Sequence, residues 1–271
     1  MMRTTTRTAA RSAAWAATLA FAVLPAFAQQ SPFAEYQRMA AENSPVELFE
    51  LAGEQMWKKK QGPKSASLEQ CDLGQGPGVL KGAYAGLPRY FADADRVMDL
   101  ETRLLHCMTT LQGRDRGEAT KRVFGNADSQ SEMEVLSAYV SRHSHGMPMK
   151  PGTAHPKEKA AFQLGQKLYF HRAGSWDFSC ASCHGEEGKR IRMSDLPVLY
   201  KPQHAKPLMA TWPAYRVSTS AFVTLQWRMN DCYRQMRMPE PVFGSDTTAA
   251  LITFMTVTAE GATYRGPAIK R

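Results

Sequence analysis

The segment Cys180-Ala181-Ser182-Cys183-His184 constrains this chain more than any other. Two thiols one helical turn apart can form thioethers to the edges of a haem. The histidine that follows is then forced beneath the iron as proximal ligand. Two other uses of such a motif compete. A redox CxxC pair needs a strand–helix setting of the thioredoxin kind, which the surrounding loop lacks. A zinc site needs a second ligand pair at defined spacing, and none is evident. The pattern therefore predicts one covalently bound haem c, held by Cys180 and Cys183, with His184 on the iron.

Such attachment belongs to exported chains, and the N-terminus fits export. Arg3, Arg7 and Arg11 form a basic region without an acidic residue, Ala13 to Phe27 is apolar, and Ala26-Phe27-Ala28 is a small-x-small cleavage site. Residues 1–28 read as a signal peptide cut before Gln29. The apolar run is shorter than the ~20 residues a bilayer core needs and is broken by Pro25. The expectation is a periplasmic protein with no membrane contact once cleaved. The net charge is +9, but no basic run interleaved with aromatics marks a nucleic-acid site. Lys58-Lys59-Lys60 reads as a solvated helix end. A basic exported chain suits anionic substrates or acidic partner surfaces.

Length and a hydrophobic content of 43% allow two small domains with ordinary cores. Apolar spacing predicts helices over residues 44–60, 93–111, up to about 143, 157–170, 218–235 and 245–259. Ser129 and Glu132 form a capping box ahead of the third. The Gly- and Pro-containing stretch from His145 to His155 is the best boundary. It divides the chain into 29–150 and 151–271. The halves share a plan. Leu100-x-x-Arg103-x-x-x-Cys107 matches Leu225-x-x-Arg228-x-x-x-Cys232, and Cys71-Asp72-Leu73-Gly74-Gln75 stands where the second half has the haem motif. The fold class predicted is mainly α: two cytochrome c-like helical domains in tandem, the N-terminal one without haem.

The distal face of the iron has two kinds of candidate. An electron carrier usually offers a methionine, and Met193, Met209, Met229, Met236 and Met238 all lie downstream. Cys232 is the other candidate, a thiol left over in a chain of five cysteines. Arg228 precedes it by one helical turn, so both project from the same face. A guanidinium there lowers the pKa of the sulfur and can clamp an anion.

Arg228-x-x-x-Cys232 downstream of a single CxxCH, with the degenerate Cys71 and Cys107 module, resembles the SoxA family of the thiosulfate-oxidising Sox system. The resemblance covers the chain from Ser31-Pro32-Phe33 to the last helix. It implies a heterodimer with a small c-type cytochrome, SoxX. It also implies oxidative conjugation of thiosulfate to a cysteine of the carrier SoxYZ, with electrons passed to cytochrome c. By the same resemblance, Cys232 is the distal ligand and catalytic sulfur, carried as a persulfide. Arg228 binds the substrate anion. Gly74 and Gln75 stand where two-haem members have a second thiol and a histidine, which places the chain with the single-haem type. In that type Cys71 and Cys107 are expected to form a disulfide. Two rival readings make different predictions. A plain periplasmic electron-transfer cytochrome without its own catalysis predicts a methionine ligand. A subunit that only docks a catalytic partner predicts that the first half alone binds it.

Overall fold

The computed structural model describes residues 44–191 and 194–270. The expected signal peptide (residues 1–28), Ser31-Pro32-Phe33 and Met193 lie outside them. The order begins α1 (Val46–Lys58), β1 (Arg89–Phe91), β2 (Arg96–Met98), α2 (Leu100–Thr110), α3 (Arg116–Thr120) and α4 (Glu132–Arg142). It continues α5 (Pro156–Phe170), α6 (Cys180–His184), β3 (Arg190–Ile191), β4 (Ser194–Asp195) and α7 (Pro202–Met209). It ends β5 (Ala214–Arg216), β6 (Ala221–Val223), α8 (Leu225–Gln235), α9 (Asp246–Thr258) and β7 (Ala268–Lys270). The described chain is mainly helical. Among the described residues no helix is long and apolar enough to cross a membrane.

Short polar side chains start the main helices. Asp99 accepts from the Thr102 N–H, Thr224 from Trp227 and Ser245 from Thr248. Each satisfies a backbone donor that a first turn leaves unpaired. The capping box of α4 is Ser131 with Glu134, two residues beyond the pair the sequence pattern selects. Both pairs have the right spacing, and burial decides between them: Ser131 is 3% exposed and Glu134 1%.

The helices expected from residues 93 and 218 start later than the pattern suggests. Antiparallel hairpins occupy the difference. β1 pairs with β2 (Tyr90 opposite Val97) and β5 with β6 (Tyr215 opposite Phe222). Val97 and Leu100 sit at helical spacing, but Asp95 at φ +50 and Ser220 at φ +48 take the left-handed turn conformation, which no helix continues through. β7 then lies parallel to β5.

The two hairpin–helix segments match residue for residue. Pro88 precedes β1 as Pro213 precedes β5, Asp95 answers to Ser220, and cap Asp99 to cap Thr224. α2 and α8 each run 11 residues. The helix pairs correspond as well. A Cβ on Gly53 would collide with the Val135 carbonyl, so α1 crosses α4 at that glycine. A Cβ on Gly165 would collide with the Ala250 carbonyl, where α5 crosses α9. One core gathers Trp57, Leu68, Leu104, Met108 and Leu136. Another gathers Met149, Tyr169, Trp212, Phe254 and Tyr264. Between them Phe49 stacks on Phe222 at 5.2 Å. Residues 44–270 belong to one compact unit.

Cys71 and Cys107 are disulfide-bonded. Beside them Arg103 is 4% exposed. Its Nε donates to the Asp72 carbonyl at 2.6 Å and its Nη1 to both Asp93 oxygens at 2.8 Å. The guanidinium also lies 4.1 Å from the centre of the Phe91 ring. Arg103→Ala leaves a buried carbonyl and a charged partner unserved. It is expected to lower the unfolding free energy by about 2 kcal/mol, read from the shift in a urea titration. An unchanged midpoint would remove Arg103 from this account of stability.

Candidate functional site

Tyr169, near the end of α5, sets the depth of the short helix α6. Its hydroxyl donates to the His184 carbonyl at 2.7 Å, while Tyr200 donates to the Gly185 carbonyl at 3.0 Å. Lys189 Nζ donates to the Ser182 carbonyl at 3.0 Å. These bonds serve the carbonyls that a helix end leaves without partners.

His184 Nδ1 lies 2.8 Å from the Pro197 carbonyl oxygen. A carbonyl only accepts, so Nδ1 carries the proton and Nε2 keeps its lone pair for a metal. Burial pushes the His184 pKa down, against the pull of the Pro197 bond. A neutral imidazole with a fixed tautomer is the form that ligates iron.

Cys180, Cys183 and Cys232 form no disulfide. Burial pushes the Cys180 thiol up to about 12, with Cys232 adding to the rise. Burial also raises the Cys232 thiol, and Arg228 pulls it down. The lowering expected from Arg228 is thus present but smaller than the effect of burial. A thiol held protonated in this way ionises when it coordinates a cation, which deprotonates it outright. Cys183 adds to the rise at the Cys232 thiol, and Arg228 adds to the lowering of His184. The donors available are two unbridged thiols on the CxxCH helix, an imidazole with Nδ1 pinned, and a third thiol within electrostatic reach of them. Donors of these types fit a covalently bound haem c. Met209, Met229 and Met236 belong to the core around this site, and Met238 packs against it.

Arg228 Nη1 donates to Asp231 Oδ2 at 2.5 Å. Asp231 also faces Arg216 at 3.8 Å and Arg234 at 3.7 Å, and accepts from Gln235 Nε2 at 3.0 Å. Asp231 thus faces three guanidinium groups beside Cys232, and Arg234 pairs with Glu240 as well, at 3.0 Å. Arg216 lies 5.8 Å over the Trp227 ring. The contrast with the matching arginine is informative. Arg103 is buried and bridges to other segments, whereas Arg228 is 29% exposed and pairs within its own helix. Asp231 follows Arg228 at i+3 and was findable by spacing. Arg216 arrives from a strand, and the Pro197 acceptor is backbone. Neither left a sequence signal.

Comparison with known proteins shows the family and the fold. Residues 52–149 match the family described as SoxA/TsdA, cytochrome c domain. The L-cysteine S-thiosulfotransferase subunit SoxA of Hydrogenophilus thermoluteolus is 46% identical over 237 residues, covering 88% of this chain and 86% of that protein. A SoxA subunit of Hydrogenobacter thermophilus is 34% identical over 228 residues, covering 84% and 82%. The crystal structure of SoxXA from P. pantotrophus superposes with a TM-score of 0.69 at 24% identity, covering 88% of this chain and 84% of that one. The fold is thus mainly helical and cytochrome c-like.

Proposed function

This chain belongs to the SoxA family, and from that premise we propose that it is the L-cysteine S-thiosulfotransferase subunit that joins thiosulfate to a cysteine of a SoxYZ-type carrier. One observation carries the reading: the unbridged Cys232 stands within electrostatic reach of Cys180 and Cys183, with Arg228 one turn before it. Cys180 and Cys183 would hold a single haem c, with His184 and Cys232 as its axial ligands. When bound, the haem supplies a one-electron acceptor next to the reacting sulfur.

The chemistry balances in two stages. The Cys232 sulfur, carried as a persulfide, and the terminal sulfur of thiosulfate join as two electrons leave. The carrier's cysteine thiolate then attacks the thiosulfate-derived sulfur next to the sulfonate, taking the thiosulfonate and returning the Cys232 persulfide. The proton of the carrier thiol goes to solvent, and the electrons pass to cytochrome c. Arg228 orients the sulfonate by paired hydrogen bonds. Arg216 and Arg234 share Asp231 with it, so Arg228 can turn towards an anion without leaving the carboxylate bare.

The two matched halves are read as tandem cytochrome c-like modules, 29–150 and 151–271, the first stabilised by the Cys71–Cys107 bond instead of a haem. A small SoxX-type cytochrome is the expected partner, and residues 1–28 direct export to the periplasm. The test is the intact mass of the carrier after incubation with the haem-loaded complex, thiosulfate and oxidised cytochrome c. A carrier heavier by one thiosulfonate group supports the reading, and an unmodified carrier refutes it. Arg228→Lys keeps the charge but loses the planar fork. The expected result is a KM for thiosulfate raised about tenfold, and unchanged kinetics would count against the clamp.

A further inference from the structure

The helix that carries Arg228 and Cys232 is capped from the other half of the molecule. α2 and α8 bring their N-termini together, and the second residue of each reaches across to the other. Glu101 Oε2 accepts from the Gln226 N–H at 3.1 Å. In return Gln226 Nε2 donates to Asp99 Oδ2 at 2.8 Å and to Thr102 Oγ1 at 3.1 Å. Gln226 Oε1 accepts from the Gly244 N–H at 2.8 Å. The network is buried: Gln226 is 0% exposed, Thr224 1%, and Asp99 and Glu101 4% each.

Two helix N-termini that face one another concentrate partial positive charge and unpaired N–H groups. Acidic side chains are what such a junction requires. Glu101 Oε1 and Ser137 Oγ have no partner among the described residues, and both groups line a cavity of about 20 Å³. That is the room of one water molecule, which would serve both atoms.

We infer that Glu101 is a positioning residue for Cys232, fixing the register of α8 and with it the seat of the axial sulfur. The inference rests on the reading that Cys232 ligates the haem. Its logic is mechanical. Cys232 lies about 9 Å along the helix axis from Gln226. Between the two, α8 is a continuous hydrogen-bonded rod with no proline or glycine to absorb a shift. A fault at its first turn therefore moves the sulfur.

The experiment uses the exported, haem-loaded chain and measures how fast cyanide displaces the axial sulfur of the ferric haem, followed by its visible spectrum. Glu101→Ala is expected to speed displacement about tenfold, and Glu101→Gln, which keeps an acceptor for the Gln226 N–H, to restore the wild-type rate. Arg103→Ala loosens the same half without touching α8 and should leave the rate unchanged. Equal rates in wild type and Glu101→Ala would overturn the proposal. So would no rescue by glutamine, or an Arg103→Ala effect as large as that of Glu101→Ala. If Glu101→Ala does not fold, amide hydrogen exchange in the wild-type chain decides. Gln226 N–H exchange only through global unfolding supports the cap, and exchange at the rate of an open amide overturns it. A methionine-to-iron band in the wild-type spectrum would refute the ligand assignment by itself, before any variant is made.

Discussion

Cys232→Ala abolishes thiosulfate transfer to the carrier, by at least ~10³-fold, while the chain is still exported with covalently attached haem. The two outcomes separate because different sulfurs serve them. Cys180 and Cys183 lie on α6 and attach the cofactor. Cys232 lies on α8 and is left unbridged. Alanine removes the atom that must bond to thiosulfate, and no other unbridged thiol remains once the haem has taken its two. The variant also removes a partly buried sulfur, so a modest loss of stability accompanies it. Denaturing electrophoresis followed by haem staining checks attachment, and the carrier's mass checks transfer. Wild-type transfer by the variant would reduce Cys232 to a spectator and favour an electron-transfer cytochrome.

The second large effect falls on stability. Cys71→Ala with Cys107→Ala is expected to lower the unfolding free energy by about 4 kcal/mol. The estimate follows from the separation of 36 residues that the bond closes. Both cysteines are buried, at 0% and 2% exposure, and the lost sulfurs leave small voids that add to the cost. In a chain of this size the loss corresponds to a fall in Tm of about 8–16 °C. The measurement is thermal unfolding of the haem-loaded variant beside the wild type. A fall under about 2 °C would mean that the first half is held by its apolar core alone.

The parts of the fold that repeat in the sequence were the most legible. Leu100, Arg103 and Cys107 announce α2, and Leu225, Arg228 and Cys232 announce α8, because helical spacing and a matching order recur. The hairpins ahead of both helices were hidden. Their turns use Asp95 and Ser220 in the left-handed conformation, where glycine would have marked a break. Val97 meanwhile continued the helical spacing into a strand. The capping box was misplaced for a related reason: two serine–glutamate pairs share one spacing, and only burial tells Ser131 from Ser129.

The site divides along the same line. Residues that meet through local spacing were legible: the CxxCH segment, and Arg228 with Cys232. Groups that arrive through tertiary structure were not. The Pro197 carbonyl that orients His184 is backbone. Arg216 reaches Asp231 from β5, and Glu101 caps α8 from the other half of the chain. The pKa of Cys232 shows the limit most clearly. Sequence proximity to Arg228 predicts a lowered value, but burial, which only the fold supplies, moves it up.

The central claim is that Cys232 is the sulfur that reacts. The most direct test is the mass of the Cys232 peptide, from protein exported with its haem and digested without reductant. The account predicts one additional sulfur atom on that cysteine, a persulfide, lost on treatment with reductant. Exposure to thiosulfate and an oxidant should instead leave a thiosulfonate on the same residue. An unmodified thiol under both conditions would contradict the account.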